Sequence, residues 1–547
     1  VVSSTVWPVK PVDEERVKAL IQELRVSEPL ARLLVLRGVE DRTDAERWLN
    51  PNFTHLHPPD LLPDFELARD RIFQAIEKKE TVLIWGHDDL DGITATVLLY
   101  QVLSGLQAKV RYYIPVKGKD KHGLDYRYIE GDGANEVRLI ITVDCGITNY
   151  QDVAELKRVG VDVVVTDHHE VIDPLPGAVA TVDPKRLDSD YPDTNLTGVG
   201  VALKLALGLV QEKLGFSTAE FFSVYQDALV LATLGTIADR ASLIGENRVL
   251  VKHGLRLLEK TSIPAVRAVL KSINFPPQGF TVNGFLAELL PLFAAANGAD
   301  GVRHFLNQDP AVAEEWVKEL VVRSQMWREE AEKTFTLASA NVRLGDGILF
   351  VQHPDLSLRA LGFSAARLRE RYGVPAIVIG RRGDVWVGEC RGMDGVDLME
   401  LLRALRNYFI DYGGHKKAAG FSIKEENVAD FIRAAERFAH TNFAPKIVRE
   451  SMPFADGLLP LSKFERDVIE LAPFGEGNPQ PIFVSEPTAF TFSEKGFVPE
   501  TNPALVLLPG RGDCQITPGV MYRVLYTVDD LGQIAIIACH SESESAH

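Results

Sequence analysis

The sequence is poor in cysteine, in repeats and in long apolar runs, and it carries no surplus of positive charge. Its four cysteines, Cys145, Cys390, Cys514 and Cys539, are scattered without a C-x-x-C pair. That argues against a zinc ribbon and against a disulfide framework, and it fits a reducing compartment. No apolar run approaches the roughly 20 residues of a membrane span, and no basic, apolar leader opens the chain, so a cytoplasmic protein with no membrane partner is expected. Lysine and arginine number 59 against 76 acidic residues, a formal net charge of −17. Proteins that grip nucleic-acid phosphates usually advertise a basic balance, so this total lowers the expectation of such a partner. It does not exclude one, because a narrow basic groove fits inside an acidic whole and a metal-binding carboxylate cluster itself adds negative charge. Val1 in the first position and the tail SESESAH point to a processed chain with a longer parent.

What is present is a folded composition, 46% hydrophobic and 25% charged, over 547 residues. That length exceeds one core and implies about three or more domains. Apolar residues at helical spacing over 14–49 place a helical region at 1–75. Over 76–255 short β-branched runs (TVLIWG, AKVRYYIP, VRLIITVD, VDVVVTD, AVATVD) alternate with helical stretches. That pattern predicts an α/β domain with a parallel sheet covered on both faces. A helical connector follows over 256–345, including one long helix from Pro310 to about Val342. A second α/β domain is expected over 346–446, and a small Pro- and Gly-punctuated β-barrel over 447–547.

The chemistry-bearing residues sit at strand ends. LIWGHDDLDGITATV, residues 83–97, places His87, Asp88, Asp89 and Asp91 on one turn after the first strand. Asp144 closes LIITVD, and Asp167, His168 and His169 close VVVTDHH. The carboxyl ends of parallel strands share one edge, where ligands bind in the crevice. Asp239, in LATLGTIADRASL, ends an apolar helical stretch and completes the set. A lone aspartate after a strand more often caps the next helix, and adjacent histidines are usually solvated. Four such motifs converging on one edge need another account. Carboxylates packed that closely would raise one another's pKa values unless a cation neutralised them. Aspartate and histidine without thiolate suit Mn²⁺ or Mg²⁺, and the number of carboxylates predicts two ions, roughly 3.5–4 Å apart, acting on a phosphoryl group.

HDDLDG, TVDCGIT, TDHH and GTIAD, in that order, resemble the four motifs of the DHH phosphoesterase superfamily, and GGHKKAAG at 413–420 resembles the glycine-histidine motif of the associated domain that follows. LARLLVLRGVEDRTDAERWL, LTGVGVALKLA, GENR and LAPFGEGNPQPIF are together similar to the RecJ branch of single-strand exonucleases. The resemblance covers nearly the whole chain. It implies a parallel-sheet DHH domain and a DHH-associated α/β domain joined by the long helix, with an oligonucleotide-binding (OB-fold) barrel last. It also implies that His87, Asp89 and Asp144 hold one metal and that Asp91, Asp144, His168 and Asp239 hold the other, with Asp144 bridging. His169 would sit behind the ligands, beside a ligand or the scissile phosphate, and Asp167 would orient the histidines. Mn²⁺ is favoured, with Mg²⁺ possible. The ions would generate the nucleophile from water, so that no covalent nucleophile is needed.

For a 5′-phosphate pocket the candidates are Ser364, Arg367, Arg391, His415 and Lys416, with the backbone of Gly414 approaching closely and Arg111 as an outside candidate. Gly413 and Gly414 would equally serve a simple turn. Lys463, Arg466, Lys495, Arg511 and Arg523 are thinly spread over the tail, so weak strand contact is expected there.

The expected activity is 5′→3′ exonucleolytic hydrolysis of single-stranded DNA to 5′-mononucleotides, in recombination and repair. The resemblance implies a single-stranded-DNA-binding protein and a RecQ-type helicase as partners, and a monomer is expected. Rival readings are a DHH phosphodiesterase acting on short oligonucleotides or cyclic dinucleotides, and a catalytically dead replication scaffold. The chain departs from the family pattern in places. His87 stands where aspartate is usual, and PLFAAANGADG at 291–301 keeps Asn297 but lacks the two arginines of PRxNAxGR. VDP at 182–184 replaces NP, and ADRASL at 238–243 replaces ADVVPL.

Overall fold

The computed structural model describes residues 7–116, 120, 123–130, 136–171, 174–273, 279–414, 416–447, 454–509 and 514–542. These fall into two compact units, one of residues up to Leu320 together with those from Phe454, the other of residues from Val321 up to that point.

The first unit opens with three short helices, α1 (Glu14–Leu24), α2 (Glu28–Leu36) and α3 (Arg42–Leu49). Asp13, Ser27 and Asp41 cap them by accepting backbone N–H groups of the first turn, as short polar side chains do at helix starts. Helix α4 (Phe65–Glu77) leads into the parallel sheet. Its strands are β1 (Thr81–Trp85), β2 (Lys109–Tyr113), β3 (Val137–Val143), β4 (Asp162–Thr166) and β5 (Ala180–Val182), in the order β2-β1-β3-β4-β5. Every pairing is parallel. Alternate residues of one strand feed two cores: Val82 and Ile84 pack with Leu139, Ile141 and Val164, while Leu83 and Trp85 pack with Ile140 and Val163. Because both faces are covered, the strands read as continuous apolar runs.

Helix α5 (Leu90–Gly105) follows β1, and α6 (Tyr150–Arg158) lies between β3 and β4. After β5 come α7 (Gly198–Leu214), α8 (Thr218–Val224), α9 (Gln226–Ala238) and α10 (Gly245–Leu255). Helix α5 is apolar nearly all round and packs against α7 and α9. From β1 the chain runs to β2 on one side and then to β3 on the other. This reversal opens a crevice at the carboxyl ends of β1 and β3.

The long helix Pro310–Ala340 carries the chain from the first unit into the second. The second unit holds a mixed sheet of β6 (Arg343–Gly345), β7 (Ile348–Gln352), β8 (Ala376–Arg382), β9 (Val385–Arg391), β10 (Phe409–Gly414) and β11 (Ala418–Lys424), in the order β10-β11-β9-β8-β7-β6. Strand β6 begins inside the stretch expected to be all-helical connector.

The C-terminal residues return to the first unit as seven strands: β12 (Gly457–Leu458), β13 (Ile482–Val484), β14 (Phe490–Ser493), β15 (Gly496–Pro499), β16 (Leu507–Leu508), β17 (Tyr522–Val528) and β18 (Ile534–Ser541). They share a core with the N-terminal helices, where Leu20, Leu30, Leu33 and Leu34 meet Phe474, Phe483 and Tyr526. Cys514 and Cys539 form a disulfide with Cα atoms 5.7 Å apart. The scattered spacing argues against a disulfide framework, and the structure shows this one bond. Two cysteines 25 residues apart carry no spacing signal, and it is the sheet that brings them together. Cys145 and Cys390 are free and buried.

Candidate metal centre

Each candidate ligand is placed by a strand end or helix end. The turn after β1 projects His87 and Asp89, and Asp89 also caps α5 by accepting the Gly92 N–H at 2.9 Å. The capping role and the cluster role coexist in one residue. Asp91 lies in the first turn of α5 and is buried. Asp144, just past β3, is buried with a left-handed backbone, φ 60°. Asparagine and aspartate tolerate that conformation better than most residues. Asp167, His168 and His169 follow β4, and Asp239 ends α9.

These side chains converge. The ligand atoms of His87, Asp89 and Asp144 lie within 4.8 Å of one another, as do those of Asp91, His168 and Asp239, and those of Asp144, His168 and His169. His87 Nδ1 is 2.9 Å from Asp89 Oδ2 and 3.5 Å from Asp144 Oδ2. His168 Nε2 is 3.1 Å from Asp144 Oδ1 and 3.9 Å from Asp91 Oδ2. Asp144 therefore touches both groups.

The electrostatics are those of crowded acids. Burial, and after it the Asp144 charge, pushes Asp91 well above the usual carboxylate range. Burial likewise lifts Asp239 to about 6. Burial works against Asp144 too, but hydrogen bonds from His168 and His87 outweigh it and hold its carboxyl low. Burial would lower both imidazoles, yet Asp89 and Asp144 push His87 up to about 11 and Asp144 pushes His168 up to about 10. Four carboxylates thus draw positive charge onto their neighbours. Oxygen and imidazole donors with no thiolate fit a hard or borderline divalent ion, and the cluster is large enough for two.

The surroundings hold the ligands in place. Asp167, itself buried, accepts the N–H groups of Ile147 (2.9 Å), His168 (2.8 Å) and His169 (3.3 Å), and lies 2.7 Å from His169 Nδ1. The first N–H groups of α7, from Gly198 and Val199, donate to Asp91 at 2.7 and 2.9 Å. Helix starts present such free donors to anions. A Cβ on Gly198 would come within 2.4 Å of the Asp144 Cβ, and one on Gly235 within 2.6 Å of Asp91 Oδ1. Sequence reasoning found LTGVG without seeing this work, because a backbone donor has no side-chain signature. Asp88, in the same turn, instead receives the Gly298 N–H, which ties the 291–301 segment to the metal loop. Asn297 caps the helix that begins there by accepting the Asp300 N–H.

The remaining candidates are spread out. Arg111 lies exposed on edge strand β2, apart from the cluster. In the second unit, Ser364 is fully buried with no hydrogen-bond partner for its hydroxyl. Arg391, at the end of β9, contacts Glu389 at 3.0 Å and closes on Gly362, two residues from Ser364. Arg367 is otherwise engaged: it pairs with Glu332 at 2.5 Å and lies over the rings of Phe335 and Phe363. Gly413 and Gly414 do not form a turn after a helix but end strand β10, opposite Gly420 and Ala419 of β11. Lys416 is exposed, Lys417 pairs with Asp394 at 2.7 Å, and His415 lies outside the described residues.

Comparison with known proteins matches residues 81–236 to the DHH family, N-terminal domain, and residues 345–441 to the DHHA1 domain. The single-stranded-DNA-specific exonuclease RecJ of Bacillus subtilis is 30% identical over 88% of this chain, and the match spans 61% of that protein's length. The same-named protein of Haemophilus influenzae is 30% identical over 84% of this chain and 83% of its own. The crystal structure of RecJ from Thermus thermophilus in complex with Mn²⁺ superposes with a TM-score of 0.79 over 98% of this chain and 79% of that one, at 24% identity. With the metal motifs in order, both domain matches in place and the likeness running from the N-terminal helices to the last strands, the chain belongs to the RecJ family of DHH phosphoesterases.

Proposed function

We propose that this chain is a divalent-metal-dependent exonuclease that hydrolyses single-stranded DNA from its 5′ end and releases 5′-mononucleotides. The observation that carries the reading is the set of three overlapping three-ligand groups in the crevice of the parallel sheet, two of them sharing Asp144 and two sharing His168. His87, Asp89 and Asp144 would hold one ion, and Asp91, Asp144, His168 and Asp239 the second. Bound there, divalent ions supply Lewis acidity, lowering the pKa of water and offsetting the charge that gathers on the phosphodiester oxygens. Imidazole among the ligands favours Mn²⁺ over Mg²⁺.

The protein's own groups do the positioning. Asp144 is fixed in its left-handed turn, and Asp91 is held by two helix N–H groups, so neither carboxylate needs to reorganise. His169 is partly exposed and anchored by Asp167, which orients its ring for donation to a phosphate oxygen. In the second unit, Arg391 and Lys416 would supply donors for a terminal phosphate, joined by the backbone of Gly414, while the fully buried Ser364 hydroxyl is not exposed to it. The same reading gives the protein a cytoplasmic location, a role in recombination and repair, and a single-stranded-DNA-binding protein and a RecQ-type helicase as partners.

The test uses two long single strands, one labelled at each end, incubated with Mn²⁺ and wild-type protein or Asp144→Ala. Release of the 5′ label as mononucleotide by wild type only is the expected result. Cleavage confined to dinucleotides would replace this reading with a small-substrate phosphodiesterase.

A further inference from the structure

One arginine at the border of the metal centre has no assigned work. Helix α9 ends at Ala238, and the chain turns sharply after Asp239: Arg240 N–H donates to the Ile237 carbonyl at 3.1 Å and Ala241 N–H to the Thr236 carbonyl at 3.3 Å. Arg240 takes the left-handed conformation, φ 56°. Glycine is the usual residue there, because a side chain at that angle costs stability. The Arg240 side chain is exposed, and its guanidinium makes no hydrogen bond or ion pair among the described residues. The charges that weigh most on Asp239 are His168, Asp144, Asp89 and His169, with Arg240 not among them.

Arg240 instead lines a separate cavity of about 270 Å³, together with Asn283, Glu476 and Gln480. The far wall is firmly attached. Leu243 N–H donates to the Glu476 carbonyl at 2.8 Å, and a Cβ on Gly475 would stand 2.7 Å from Leu243, so the loop seats directly on the segment that follows Asp239. Asn478 locks that loop by donating to the Leu471 and Pro473 carbonyls and accepting from Arg37 Nε. The volume is small for an independent small-molecule site, and the Glu476 carboxylate disfavours a free anion bound there alone. Both features suit a fragment of a longer polyanion that is held elsewhere as well.

We infer that Arg240 and this cavity form a strand-binding subsite, in which the guanidinium forks onto a backbone phosphate of single-stranded DNA flanking the one being cleaved and the amides of Asn283 and Gln480 meet its sugar or base. The planar fork matches two phosphate oxygens, which explains an arginine where glycine would be less strained. The subsite rests on the exonuclease reading and adds to it a grip that a one-nucleotide substrate cannot use.

The experiment compares wild type with Arg240→Gly, Arg240→Gln and Arg240→Lys. Anisotropy of a labelled oligothymidylate is followed across about 50–200 mM salt, and hydrolysis is followed with a long strand and with thymidine 5′-p-nitrophenyl phosphate. Losing one phosphate contact should flatten the slope of log affinity against log salt by about 0.7 in the Gly and Gln variants. Their KM for the long strand should rise about tenfold with kcat little changed, and hydrolysis of the small ester should stay at the wild-type level. Lysine should keep the slope, and the Gly variant should melt no lower than wild type. If the Gly and Gln variants keep both slope and KM, Arg240 is only a strained helix end and the inference falls while the exonuclease reading stands. If wild type degrades no long strand, the exonuclease reading falls first and takes the subsite with it.

Discussion

At the scale of single residues, the metal centre depends on a carboxylate that need touch no metal. Asp167 gathers four donors from three residues, two of them the adjacent histidines. Asp167→Asn replaces one acceptor oxygen with an amide that faces those donors. Partners of this kind typically contribute 10–100-fold to metal affinity or activity. We predict a loss of about that size in Asp167→Asn, largely restored by raising Mn²⁺, as read from activity against metal concentration. A loss that no amount of Mn²⁺ restores would mean that Asp167 acts on the phosphate instead. The residues of HDDLDG, TVD and TDHH were legible because strand ends share one edge and side-chain chemistry is written in the sequence. The donors from Gly198 and Val199 and the space kept free by Gly235 were not, since a main-chain N–H or a missing Cβ acquires meaning only when a distant carboxylate packs against it.

At the scale of elements, the β17–β18 turn is fastened to the Phe474 loop by an acid in an unfavourable place. Asp530 accepts the Phe474 N–H, yet burial lifts its carboxyl to about 6 from an ordinary value of 3.8. Below pH 3.8 both folded and unfolded states are protonated and nothing is lost. Between pH 4 and 6 the unfolded chain releases the proton while the folded chain keeps it, so stability falls as pH rises. Above pH 6 the full cost, roughly 3 kcal/mol for a shift of about two units, is present. Asp530→Asn keeps an acceptor for Phe474 and removes the charge. Its stability should match wild type near pH 4 and exceed it at pH 8, as measured by urea unfolding at both pH values; a pH-independent difference would refute the assignment. The five parallel strands were legible as buried apolar runs. Strands of two residues such as β12 and β16 were not. The sequence leaves Gly413 and Gly414 evenly between a backbone that approaches phosphate and a turn, with no strand expected, because glycine is a poor strand former whose placement here is set by its partners in β11.

At the scale of the whole molecule, the two ends of the chain depend on each other. Sequence periodicity is a local signal, so it separates a helical region at 1–75 from a β region at 447–547 without showing that the first packs on the second. The structure buries Leu20, Leu30, Leu33 and Leu34 completely in one core with residues of the C-terminal sheet. Arg248 of α10 reinforces the joint: its guanidinium is buried and donates to the carbonyls of Trp48 (2.8 Å), Ala472 (3.0 Å) and Glu470 (3.3 Å). Burial pushes it down to about 9, a cost accepted only where main-chain oxygens surround it. Lys252 adds contacts to the Leu49 and Glu470 carbonyls. A chain ended at Ile447 would lose one wall of this core. Complete burial of four leucines is worth roughly 6–12 kcal/mol, and even half of that is comparable to the total stability of a domain, about 5–15 kcal/mol. The truncated chain should therefore aggregate or lose hydrogen-exchange protection over residues 14–49, rather than persist as a folded enzyme that merely binds strands less well. If the truncated protein stays monomeric, keeps those amides protected and melts where the full chain does, the C-terminal strands are an independent module and the shared core contributes little to the stability of the first unit.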